Sequence, residues 1–158
     1  MSKGHHRDYI NITGTPKVGC KSEIGRVGYE QYVYLSHGSC FLGATILHEL
    51  LHVMGFVHEM QRPDRNQYVE INFKEIPNTY ENRKIIEENF DIIPNSVTLS
   101  PYDYASIMHD GKRWITVKKT GAVIWDPQNN GYGLSELDLK HVNELYNCSM
   151  NGEHMNEA

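Results

Sequence analysis

Hydrophobic positions recur along the chain with two periods, and the change from one to the other marks the elements. Asp8-Tyr9-Ile10-Asn11-Ile12 alternates and predicts a short strand, closed by Thr13-Gly14-Thr15-Pro16. Lys21 to Ile24 predicts a second short strand ending at Gly25. From Gln31 to Ser36 the β-forming residues set Tyr32 and Tyr34 against Val33 and Leu35, as a strand with two different faces does. Between Phe41 and Met54 the step lengthens to three and four. Leu42, Ile46, Leu50, Val53 and Met54 then predict the buried stripe of a helix that Gly55 stops. A second helix is expected from about Pro77 to Phe90. Trp114 to Val117 and Ala122 to Trp125 predict a hairpin around Lys119-Thr120-Gly121. Ser135 with Asp138 three positions on is a helix-start signal for a last helix, with Leu137, His141, Val142, Leu145 and Tyr146 as its buried stripe. Residues 149–158 form a polar tail.

Composition narrows the class. A chain of 158 residues, 39% hydrophobic and 22% charged, suits one globular domain. The net charge of −5 weighs against nucleic acid as a partner, since phosphate binding favours a basic surface. No apolar run approaches the ~20 residues that span a bilayer, so no membrane span is expected. The polar start, Met1 to Asp8, lacks the apolar stretch of a secretory signal, which leaves a cytosolic protein or a signal outside this chain. The three cysteines, Cys20, Cys40 and Cys148, favour the second reading, and their odd count leaves one thiol over or implies a partner outside the chain. None forms a CxxC pair, so a thiolate zinc site is not expected.

The chemistry is concentrated in His48-Glu49-Leu50-Leu51-His52-Val53-Met54-Gly55-Phe56-Val57-His58. Two histidines four apart on a helix share one face and can grip one ion. Helical geometry cannot supply a third ligand at His58, so the helix must end and the chain must turn back. Gly55 stands where that turn is needed, because glycine adopts positive φ without steric cost. Three neutral imidazoles leave one position of a tetrahedral Zn2+ ion open for water, the pattern of a catalytic site. Glu49, beside His48, is assigned as the general base that takes the proton of that water. Scattered, ordinary histidines are the competing reading of the pair, and a closed structural zinc site would leave Glu49 without a purpose. His5, His6, His37, His141 and His154 are read as ordinary residues, and His109 is not counted as a ligand.

With Glu59, Arg62, Asp64 and Arg65 following, the run from His48 to Ile71 resembles the astacin family of metzincin zinc endopeptidases. So do Tyr102-Asp103-Tyr104-Ala105-Ser106-Ile107-Met108-His109, Leu134 to Asp138 leading into Leu145 to Cys148, and Asp8 to Ile12 followed by Gly19-Cys20. The resemblance implies an α+β catalytic domain over residues 1–148, two-lobed, with a small mixed sheet, an active-site helix and a C-terminal helix. It implies a secreted enzyme with one catalytic zinc ion that cleaves protein or peptide substrates in a cleft between the lobes. It implies Met108 as an apolar floor beneath the metal and a Cys20–Cys40 disulfide, whose loop closure is worth roughly 3 kcal/mol in the chain-entropy account. Lys21 to Glu23 would lie at the upper rim of the cleft, either as the edge where an extended substrate adds as a strand or as a plain edge guarded by its charges.

Two departures set further expectations. The family has Tyr after the histidine that ends its Met-turn, the segment matched by Tyr102 to His109, where this chain has Asp110. A carboxylate there repels a developing oxyanion, or serves the metal as an oxygen ligand, or is a solvated turn residue. Family domains also begin earlier, so an N-terminal portion is expected to be missing, with the cysteine that would pair with Cys148 and the mature N-terminus that approaches the residue matching Glu59. A weakened or inactive homologue acting as a binding protein is therefore the alternative to an active protease. Another metzincin branch would not explain Arg62, Asp64 and Arg65. Gln128 to Gly133 lacks the arginine with which the family favours acidic substrates, so no acidic preference is implied.

Overall fold

The computed structural model describes residues 7–14, 19–36, 38–77, 79–98, 100–109, 112–124 and 133–148. Asp110, the Gln128–Tyr132 stretch and the 149–158 tail lie outside the described residues.

Three strands form one mixed sheet: β1 (Tyr9–Thr13), β2 (Cys20–Ser22) and β3 (Glu30–Leu35), in the order β1-β3-β2. β3 lies in the middle, parallel to β1 with Ile12 opposite Val33, and antiparallel to β2 with Ser22 opposite Val33. Its alternation comes out as read: Gln31, Val33 and Leu35 are buried, while Tyr32 and Tyr34 stack on the other face with centroids 5.5 Å apart. Gln31 is buried without penalty because its Nε2 donates to the Gly25 carbonyl at 2.7 Å.

Helix α1 runs Gly43–Val53 after a short 3-10 turn at Ser39–Phe41. It is wedged between two apolar surfaces. Ile46 and Val53 pack on Val33, Leu35 and Cys40 of the sheet side, whereas Ala44 and Leu51 join Ile107 and Met108 on the other. The single stripe expected from the sequence is therefore corrected. Leu42, at the N-cap, is more than a third exposed, and the most buried helix positions are Ala44, Glu49, Leu51 and His52. A helix covered on two sides hides parts of its surface that a one-stripe pattern assigns to solvent. The Cys20–Cys40 disulfide forms and ties β2 to the turn that leads into α1.

The rest of the chain builds the opposite wall. Helix α2 (Tyr80–Phe90) inserts Phe90 into a cluster with Met60, Val69, Ile71, Ile76 and Tyr102. Arg65 Nη1 donates to the carbonyls of Met60 and Phe90, so a cation sits where the helix end carries negative charge. The expected hairpin is not what forms. A strand of three residues, β4 (Val69–Ile71), too short to stand out in the sequence, pairs antiparallel with β5 (Ile115–Val117), and Ala122 to Ile124 are not a strand.

The C-terminal helix α3 (Glu136–Tyr146) starts with the expected capping box, Asp138 N donating to Ser135 Oγ at 2.9 Å and Ser135 N to Asp138 Oδ2 at 3.0 Å. Its stripe is shorter than expected. Val142 reaches the Met108 cluster, but Leu145 and Tyr146 stay half exposed, the Tyr146 hydroxyl donating to the Met54 carbonyl at 2.8 Å.

Candidate metal centre

The end of α1 decides where the third histidine goes. Gly55 N donates to the His52 carbonyl at 2.8 Å and Phe56 N to the Leu51 carbonyl at 3.0 Å, with Gly55 at φ +100°. These are the paired bonds of a Schellman ending, which needs a left-handed residue after the helix. The chain then reverses into a 3-10 turn at Glu59–Gln61 and delivers His58 to the helix face that carries His48 and His52.

The three rings converge. Nε2 of His58 lies 3.1 Å from Nε2 of His52 and 3.2 Å from Nε2 of His48. The Nδ1 atoms of His48 and His52 each lie 2.8 Å from a backbone carbonyl, of Ile107 and Phe56 respectively. A carbonyl only accepts, so both Nδ1 atoms carry the proton and both Nε2 atoms present lone pairs. Neutral His58 has one ring proton and can donate to one of those lone pairs, never to both. The cluster is thus short of positive charge at its centre. Donors on a tetrahedral zinc lie about 3.3 Å apart at ordinary Zn–N lengths, and the spacing here fits that ion. His58 is buried, and burial, followed by its nearness to His52 and His48, holds its pKa well below the ordinary value, so the ring is neutral as a ligand must be. Its Nδ1 is buried with no hydrogen-bond partner among the described residues.

The Met-turn clamps both limbs of the site. The Ile107 carbonyl takes His48 Nδ1, and the next carbonyl, of Met108, takes the amide of Glu59 at 3.0 Å. Met108 itself is buried beneath α1 with Ala44 and Leu51. The turn is held in its own right by Asp138, which accepts from Ser106 Oγ at 2.6 Å and from Ile107 N at 2.9 Å. Local spacing marks Asp138 as a capping residue but not as the anchor of the Met-turn.

Glu59 is buried behind His58 and has partners: Arg62 Nη1 at 2.7 Å and Asp103 N at 2.7 Å. The same guanidinium holds Asp64 by two bonds of 2.9 and 2.8 Å. One cation serving two carboxylates does not offset the desolvation of the more buried one, and burial raises the Glu59 pKa to about 7.

Glu49 is buried on α1, and Ser22 Oγ of β2 lies 2.7 Å from its Oε2. Ser22 was not singled out from the sequence. Glu49 and His48 border two hollows. One, of about 490 Å³, runs between β2 and α2 and is lined also by Lys21, His52, His58 and Glu88. The other, of about 320 Å³, is lined by Ala44, Thr45, Ile107 and His109.

The profile of the peptidase family described as Astacin matches residues 1–147. The chain belongs to the astacin family. Among solved structures, the medaka (Oryzias latipes) high choriolytic enzyme 1, a hatching-enzyme zinc protease, superposes with a TM-score of 0.78 at 34% identity, over 94% of this chain and 73% of that one. The low choriolytic enzyme of Oryzias latipes is 37% identical over 94% of this chain and 54% of its own length. The zinc metalloproteinase nas-14 of Caenorhabditis elegans is 38% identical over 89% of this chain and 28% of its own. The chain thus spans about half or less of these two curated relatives. This astacin-family α+β fold carries a histidine triad positioned for the one zinc that astacin proteases use.

Proposed function

We propose that this astacin-family chain is an endopeptidase, with His48, His52 and His58 as the zinc ligands, Glu49 as the general base, and Met108 as the apolar floor of the site. The observation that carries the reading is that Glu49 and His48 border two hollows, the larger of which His52 and His58 also line. A peptide chain can then continue on both sides of the bond being cut. Zinc supplies Lewis acidity and lowers the pKa of coordinated water to about 7. Glu49 takes the proton of the attacking water onto its carboxylate and passes it to the amine nitrogen as the C–N bond breaks. His48 and His52 are held in the ligating tautomer by the Ile107 and Phe56 carbonyls, so no proton has to leave Nε2 before metal binds.

β2 lies at an edge of the sheet and lines the larger hollow, which supports pairing of an extended protein substrate along it. An extracellular setting is supported by the disulfide, since such bonds persist in oxidising compartments. No helix among the described residues is long and apolar enough to cross a membrane. The test is cleavage of an internally quenched peptide. Turnover is expected with zinc, lost to a chelator and in Glu49→Ala. Unchanged turnover in Glu49→Ala defeats the assignment of the base. Zinc binding without any turnover favours the alternative, a binding protein on a protease scaffold, for which Asp110→Tyr is then expected to restore a rate.

A further inference from the structure

Glu49 is buried on α1, but the hydroxyl that fixes its carboxylate comes from another element. Ser22 Oγ lies 2.7 Å from Glu49 Oε2 and 2.9 Å from the Glu49 backbone carbonyl. Both neighbours belong to one residue, both only accept, and the hydroxyl has one proton to give. The carboxylate is the stronger acceptor because it is charged, so the proton lies toward Oε2.

Ser22 is itself held on three sides. Its strand is paired with β3, Ser22 opposite Val33. Two residues before it, Cys20 is bonded to Cys40, just ahead of α1. Three residues after it, Gly25 N donates to the His52 carbonyl at 2.7 Å. The segment carrying the hydroxyl is therefore tied to both ends of the helix that carries the carboxylate. The backbones that carry the hydroxyl and the carboxylate are thereby held in register.

We infer that Ser22 is a positioning residue for Glu49: it fixes the rotamer of the base through Oε2, from the strand that borders the cleft. A glutamate has three rotatable side-chain bonds, and freezing them before substrate arrives removes a cost from the chemical step. The effect falls on the proton transfer and not on the grip on substrate or metal. It therefore belongs in kcat, with KM and zinc affinity unchanged. The bland alternative is a staple that only holds β2 on α1; losing a staple loosens the fold and the metal site together.

This inference rests on the reading of Glu49 as base, and the experiment separates the two. In the zinc-loaded chain, Ser22→Thr and Ser22→Val differ only by a hydroxyl against a methyl, and both suit a strand. Ser22→Thr is expected to keep kcat near wild type. Ser22→Val is expected to lower kcat roughly ten- to a hundredfold, the worth of one hydrogen bond to a charged group, with KM and zinc affinity as in wild type. In a Glu49→Ala background, Ser22→Val is expected to cause no further loss, because Ser22 acts only through the carboxylate. Equal kcat for the Thr and Val variants overturns the inference. So does a fall in kcat matched by a fall in zinc affinity, which marks a staple. Should Ser22→Val fail to fold, shown by its circular dichroism melt, the role is structural and the inference also fails. Full activity in Glu49→Ala alone sinks the assignment of the base, a different result from any of these.

Discussion

The two limbs of the metal site are held in opposite ways. His48 and His52 stand on a regular helix, one turn apart, and each ring is locked by a carbonyl at its Nδ1. His58 stands on an irregular segment, its Nδ1 has no partner among the described residues, and its position comes from what surrounds it. Its amide donates to Gln61 Oε1 at 3.3 Å, the next amide is pinned to Met108, and Glu59 is bound to Arg62. A helix sets its ligands on one face by periodicity and needs only one carbonyl per ring to orient them. A turn needs a network of buried polar bonds to reach the same precision, and that network is where the site is easiest to break.

The largest effect is expected at Arg62. This side chain bonds Glu59, Asp64 and the carbonyls of Ser100 and Pro101, and it is buried. Arg62→Met leaves buried carboxylate without its cation, which typically costs about 3–5 kcal/mol. Urea unfolding of the apo-protein measures it. Zinc affinity should fall in parallel, because the His58 limb loosens while the helix limb stays. If stability drops and zinc affinity does not, the limb is not held by this network.

Gly55 sharpens the comparison at the junction of the limbs. A side chain at φ +100° is strained, although the nearest atom to an added Cβ, the Gly25 Cα, is 4.0 Å away. Gly55→Ala is therefore a test of backbone strain without a clash, and a loss of about 1–2 kcal/mol is expected. Calorimetric melting reads it. No loss would mean that the turn can be made without a left-handed residue.

Outside the ligands themselves, His141 on α3, its ring stacked on Phe56, gives the smallest effect. Its ring is partly buried, its Nε2 has no hydrogen-bond partner among the described residues, and burial lowers its pKa below 6.5. As pH falls through about 6.5 the unfolded chain takes up a proton that the folded one refuses, so stability contributed by neutral His141 is present above that pH and lost below it. In His141→Leu the fall in melting temperature between pH 7 and pH 5 should be shallower than in wild type. Equal slopes would place the pH sensitivity elsewhere.

What the sequence disclosed follows the same division. His48, His52, Gly55 and His58 were legible because their spacing states its own geometry: one face of a helix, a forced stop and a return. The strands of the sheet were legible from Tyr32 and Tyr34 alternating with Val33 and Leu35. Ser22 was not, since its contact with Glu49 joins residues 27 apart through a tertiary packing that no local pattern encodes. Asp138 was half legible. Its cap of α3 is local, but its hold on Ser106 and Ile107 is not. The pairing of Ile115 to Val117 with Val69 to Ile71 was missed for the same reason, because adjacent segments were the simpler partners for a hairpin.

The most direct measurement is zinc titration of the apo-protein against a competing chelator, in wild type and in His48→Ala, His52→Ala and His58→Ala. One equivalent of zinc should bind in wild type. Each substitution should weaken it at least about tenfold, His58→Ala as much as either helix ligand, while the folds remain intact by circular dichroism. Undiminished zinc affinity in a folded His58→Ala protein would contradict the account.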